Sequence, residues 1–119
     1  MSIKLFDSEL KVMNLLWERG DMTAKELSDC LFTEVGWNIN TTYTVIKKCI
    51  QKKAIERIEP NFQCHALISK HEIQDQETNV LIDKLFNGSS NLLFANLLSK
   101  KKLSDQQLKK LYEIIGDKE

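Results

Sequence analysis

The sequence predicts a mainly α protein with one small β-hairpin, and three observations predict it. Apolar residues recur at helical spacing over most of the 119 residues. Capping side chains and glycines punctuate those runs. Only the stretch from Ile55 to Ile68 changes to strand-like alternation, around the turn dipeptide Pro60-Asn61.

The first helix opens near Asp7 or Ser8. It places Leu10, Met13, Leu16 and Trp17 on one stripe, and Gly20 is its stop. The second opens with a capping box, Thr23 as N-cap and Glu26 three residues on. Ala24, Leu27, Leu31 and Phe32 form its apolar face, and Gly36 ends it. Trp37, Asn38, Ile39 and Asn40 read as a connecting turn.

The third helix is expected from about Thr41 to Lys53. Thr42, Val45, Ile46, Cys49, Ile50 and Ala54 face inward. The opposite face is polar: Asn40 or Thr41, Tyr43, Thr44, Lys47, Lys48 and Gln51. A helix with one apolar stripe docks on a core by that stripe and offers the other face to solvent or a partner. Two short strands follow, from Ile55 to Glu59 and from Phe62 to Ile68. A residue or two near Met22 can add a third.

Helix, helix, helix, hairpin is the order of a winged helix-turn-helix domain, placed at residues 1–69. The rest, 70–119, is expected to be a C-terminal helical dimerisation region. Ser69 and Glu72 make a capping box for a helix carrying Ile73, Val80, Leu81, Leu85 and Phe86, which Gly88 stops. Ser89 or Ser90 caps a helix with Leu92, Leu93, Leu97 and Leu98, and Lys100 to Lys102 suit its C-terminal end. Ser104 opens the last helix. Leu103 and Leu108 are placed to form a hydrophobic staple, and Leu108, Leu111, Tyr112 and Ile115 line one face. So short a set of one-sided helices rarely holds a core alone. Leu81, Leu85, Leu93, Leu97, Leu108, Leu111 and Ile115 are therefore expected to meet a second copy of the chain.

The net charge is zero, from 17 basic and 17 acidic residues, which excludes a bulk basic protein and an acidic tail. Position changes the picture. Between Lys47 and Arg57 there are five basic residues and one acid, whereas residues 1–34 carry four basic and seven acidic. The positive charge gathers on the third helix and the wing. In a helix-turn-helix the start of the second helix touches base edges in the major groove. Here that start is Thr41-Thr42-Tyr43-Thr44. Threonine can hydrogen-bond bases or pack on the thymine methyl. Lys47, Lys48 and Arg57 are expected on phosphates, and Asn40 and Thr41 at the helix start, where free N–H groups favour a phosphate.

Other chemistries find little support. Cys64, His65 and His71 lack any Cys-x-x-Cys partner, and Cys64 and His65 point to opposite faces of a strand, so no metal and no cofactor are expected. No nucleophile-and-base set and no phosphate loop is present, so the chain is not expected to be an enzyme. Trp17 reads as packing, Trp37 as packing or backbone positioning. Three widely spaced cysteines fit reduced thiols, and no apolar run spans a bilayer, so a cytoplasmic protein without membrane insertion is expected.

Glu9-x-x-Val12-Met13-x-x-Leu16-Trp17, Thr23-Ala24-x-Glu26-Leu27 and Thr41-x-Tyr43-Thr44-x-Ile46-Lys47-Lys48 together resemble the BlaI/MecI/CopY family of bacterial repressors. Leu85-Phe86-x-Gly88 and Leu103-Ser104-x-x-x-Leu108 fit as well, so the resemblance spans nearly the whole chain. It implies a homodimeric repressor on a palindromic double-stranded operator. It also implies control of a β-lactam resistance operon and a membrane sensor-protease pathway that cuts the dimerisation region at an Asn-Phe bond. By register that bond falls at Asn96-Leu97, which keeps the Asn and not the Phe. The family's copper branch has C-terminal Cys-x-Cys motifs that this chain lacks after Cys64. Base contacts carry over to Thr41, Tyr43 and Thr44, with Lys48 nearby. Some relatives have Arg where Tyr43 stands, and a tyrosine cannot make arginine's bidentate contact to guanine. Two other readings keep the fold: a regulator of another operon, or a protein-interaction module without DNA binding.

Overall fold

The computed structural model describes residues 3–100, 104–107 and 109–110. Its elements run α1 (Asp7–Arg19), β1 (Met22–Thr23), α2 (Ala24–Val35), α3 (Ile39–Gln51), β2 (Ile55–Ile58), β3 (Gln63–Ala66), α4 (Lys70–Leu85) and α5 (Ser90–Ser99). The three strands form an antiparallel sheet in the order β1-β3-β2. Met22 pairs with Cys64, and Ile55 with Ala66. The two-residue strand before α2 thus completes the sheet that the hairpin begins.

Local chemistry sets most boundaries. Thr23 accepts the Glu26 N–H through its hydroxyl, and the Glu26 carboxylate accepts the Thr23 N–H in return. That reciprocal bond holds the Glu26 carboxyl below its ordinary range. Gly36 closes α2 in the left-handed region, where glycine has no Cβ to clash. Ser69 and Glu72 form the same reciprocal cap on α4, and Ser104 and Gln107 repeat it at the last helical segment.

Two expectations about helix faces change. The buried stripe of α1 is wider than four residues, because Val12 and Leu15 are as hidden as Met13 and Leu16. On α2, Phe32 is 67% exposed and does not join Ala24, Leu27 and Leu31 inside. Residue 32 lies about 100° around the helix from Leu31, far enough to leave the inward stripe.

The chain divides into two compact units, residues 1–76 and 77–119. The first holds the core. Met13, Leu27, Leu31, Ile46, Ile55 and Cys64 are its largest apolar members. Ile73 of α4 is buried in it, and the Gln76 amide bonds both the N–H and the carbonyl of Ile3, at 3.1 and 2.6 Å.

A carboxylate lies inside this unit. Glu9 is 1% exposed, on the same helical face as Val12, Met13 and Leu16. Its Oε1 accepts from the Phe6 N–H at 2.7 Å and from Lys52 Nζ at 2.6 Å. Lys52 also donates to the Lys4 carbonyl and lies 4.2 Å over the Phe6 ring. A buried charge is tolerated only when paired and hydrogen-bonded in this way. Cys49 lies close to this pair. Burial, with the Glu9 charge adding to it, pushes its thiol up to about 12. Burial alone is the main reason Cys64 rises to about 11.

In the second unit the helices are well formed and thinly covered. Among the described residues beyond Ile73, none is buried. No helix among the described residues is long and apolar enough to cross a membrane.

Candidate nucleic-acid interface

The interface candidate is α3 with the hairpin beside it. The helix starts two residues earlier than the sequence suggests. Asn38 is its N-cap, accepting the Thr41 N–H through Oδ1 at 2.8 Å. Asparagine is among the strongest N-caps, so the signal was present at Asn38. The Thr41 N–H is consequently not available to a phosphate. The amides of Ile39 and Asn40, one and two residues into the helix, are the ones that precede its first internal bond. At the other end Lys52 caps the helix and Lys53 takes a positive φ of 65°.

Burial sorts the helix into the two expected faces. Thr42, Val45, Ile46 and Cys49 are buried. Asn40, Thr44, Lys47 and Lys48 are exposed, and Thr41 and Tyr43 half-buried. Thr42 therefore belongs to the core rather than to the reading end. The Thr44 hydroxyl donates to the Asn40 carbonyl at 2.8 Å. With its proton engaged in the helix, Thr44 offers outward only an acceptor lone pair and a methyl group.

Packing also sorts the basic cluster. Lys52 is committed to Glu9 and sits at 28% side-chain exposure. Arg57 pairs with Glu59 at 2.5 Å, and that bond holds the Glu59 carboxyl below its usual range. Among the described residues, Lys47, Lys48 and Lys53 have no ion-pair partner. The window of five basic residues thus leaves three uncommitted lysines.

Sequence reasoning missed one residue here. Phe62 reads as the first residue of the second strand, half-buried; it sits instead in the turn before β3 with φ of 51°, packed against the core. Its ring meets Tyr43 of α3 edge-on, with centroids 5.8 Å apart. The Arg57 guanidinium lies 3.7 Å from its centroid. No local pattern announces a contact between positions 43, 57 and 62; only its place next to the Pro-Asn turn was visible.

The other candidate sites resolve as follows. Trp17 donates its indole N–H to the Ile68 carbonyl at 2.9 Å, and both tryptophans pack against the core. Cys64 is buried, while His65 faces Asp21 at 2.7 Å. No cluster of three metal-binding side chains occurs among the described residues. Of the expected dimer residues, Leu81 and Leu85 are exposed, and Leu93 and Leu97 half-buried. Leu108, Leu111 and Ile115 lie outside the described residues. Asn96 is exposed within α5, and its carbonyl accepts from Lys100 N and Ser99 Oγ.

Three helices with a capped, polar third member, followed by a wing that pairs with a strand before α2, define a winged helix-turn-helix domain. A solved structure shares this fold: the DNA-binding domain of the repressor BlaI, in solution. The two are 23% identical at a TM-score of 0.53, covering 56% of this chain and 84% of that one. The family model described as penicillinase repressor matches residues 5–117, and the chain belongs to that family. The methicillin resistance regulatory protein MecI of Staphylococcus aureus (strain N315) is 26% identical over 117 residues, covering 97% of this chain and 95% of MecI. The penicillinase repressor of Bacillus licheniformis is 23% identical over 116 residues, covering 96% and 91%. These relatives are regulators and not enzymes.

Proposed function

We propose that the chain is a DNA-binding transcriptional repressor that acts as a homodimer on a two-fold symmetric operator, with a β-lactam resistance operon as its target. The observation that carries this reading is the face of α3. Asn40, Thr44, Lys47 and Lys48 project from a capped helix whose opposite side is locked into the core. Such a helix enters the major groove as a rigid unit. Tyr43 and Thr44 then face base edges, and Lys47 and Lys48 face phosphates, with Arg57 of the wing on the adjacent backbone. Thr44, as an acceptor, suits the amino group of adenine or cytosine, and its methyl suits thymine. Residues 1–69 serve this contact and residues 70–119 bring two copies together.

The exposed leucines of α4 and α5 support the dimer. Two linked half-site contacts make the second one intramolecular, so dimerisation multiplies affinity without new base contacts. Induction by cutting at Asn96-Leu97 would act by removing that gain. The bond lies inside α5, so cleavage there requires the last turns of the helix to open first.

Gel shifts at several salt concentrations, on duplexes selected from a random pool, test the reading. Thr44→Ala should relax the selected sequence. Lys48→Ala should weaken all duplexes alike and flatten the salt slope by about one. Equal effects of the two substitutions on sequence preference would refute these roles.

A further inference from the structure

Phe62 occupies a conformation that its residue type disfavours. A bulky side chain at positive φ is a true backbone outlier, and such residues persist only where the surroundings over-determine them. Its neighbour Asn61, at φ 72°, is of a type that tolerates the left-handed region; Phe62, at 51°, is not. A turn of this kind favours glycine second, so the ring has to be held by its contacts.

Those contacts join three elements. The Phe62 carbonyl accepts the Ala24 N–H at 2.9 Å, fixing the turn to the start of α2. The ring meets the half-buried Tyr43 of α3 nearly perpendicularly, at 86°. The Arg57 guanidinium lies 3.7 Å from the ring centroid, with Glu59 taking one of its N–H groups. Arginine stacked on an aromatic face loses side-chain freedom while its other N–H groups stay free to donate. Glu59 is 58% exposed and can turn aside when a phosphate arrives.

We infer that Phe62 is a positioning residue: it presents Arg57 to the DNA backbone and ties that wing contact to Tyr43 on the recognition helix. The inference rests on the DNA-binding reading above and deepens it. Its signature is that an uncharged side chain controls the release of counterions.

The experiment is fluorescence anisotropy of the full chain on random-sequence duplexes over a sodium chloride series. Arg57→Ala is expected to lower the salt slope by about 0.9 per engaged protomer. Phe62→Leu keeps apolar bulk and all charges, and is expected to lower the slope by the same amount. Phe62→Gly fits the turn without strain and should do likewise. The double substitution Phe62→Leu with Arg57→Ala should match Arg57→Ala alone, and Phe62→Tyr should restore the wild-type slope. A wild-type slope in Phe62→Leu, or additive losses in the double variant, overturns the inference. So does an Arg57→Ala slope equal to wild type while Lys47→Ala and Lys48→Ala lower theirs, and in that case DNA binding stands. Absence of salt-dependent binding by the wild type overturns the DNA-binding reading itself.

Discussion

The two compact units use apolar side chains in opposite ways. In residues 1–76, Val12, Met13, Leu27, Leu31 and Ile46 are at most 1% exposed, and even a carboxylate is enclosed with its lysine. In the second unit Leu85 is 66% and Leu92 50% exposed, although α5 is richer in leucine than any helix of the first. Leucine content is therefore not what separates an enclosed apolar face from an exposed one. The difference is whether sheet and helices from distant parts of the chain close over the apolar face. The first unit has a hairpin and three helices to do so. Among its described residues the second has helices whose apolar faces stay exposed, and the proposed homodimer would cover them with a second copy of the chain.

The largest test of this contrast removes the end of α5 and the residues that follow it. A chain ending at Asn96 should sediment as a monomer and lose roughly 10²- to 10⁴-fold in operator affinity. Its first unit should keep its thermal transition. A truncated chain that still sediments as a dimer would break the contrast.

The next compares two lysines of one helix. Lys52→Ala strands the buried Glu9 carboxylate. It should cost about 2 kcal/mol, below the full value for a deeply buried pair because Lys52 is part-exposed. Lys47→Ala should leave stability unchanged within about 0.5 kcal/mol and reduce DNA affinity instead. Urea denaturation beside anisotropy titrations separates the two; a stable Lys52→Ala variant would remove Glu9 from the account of the core.

A smaller effect is expected at Lys53, where φ of 65° favours glycine. Lys53→Gly should raise stability by about 0.5–1 kcal/mol in the first unit's transition. A lower denaturation midpoint would argue that the lysine side chain contributes more than its backbone costs.

The smallest concerns the thiols. Burial holds Cys49 at about 12 and Cys64 at about 11, so neither ionises appreciably at neutral pH. Iodoacetamide should label the half-exposed Cys30 first, and the other two only as the protein unfolds. Mass spectrometry of partly labelled protein reads the order directly.

Much of the fold was legible because it is written in short-range periods. The α2 cap at Thr23 and Glu26, the α4 cap at Ser69 and Glu72 and the inward stripe from Thr42 to Cys49 each span a few residues. The exposed side of α3 was legible for the same reason, as the complement of its apolar stripe. The start of α3 was less so, because Asn38 reads equally well as a turn residue until its side chain is seen on Thr41. Phe32 was misplaced because it lies about 100° from Leu31, at the edge of the α2 stripe, where helical spacing alone does not say whether the core reaches.

The sequence by itself determined which segments become helix or strand, the glycine stops of α1 and α2, and which face of α3 is apolar. Those depend on neighbours within one or two turns. The tertiary structure alone decided how the charges are spent. Lys52, the C-cap of α3, serves a carboxylate 43 positions away, while Lys47 and Lys48 of that helix have no ion-pair partner among the described residues. It also decided that Phe62 stands between Tyr43 and Arg57. Ion pairing and ring stacking act over a few ångströms, and only the folded chain fixes which distant residues come within that reach.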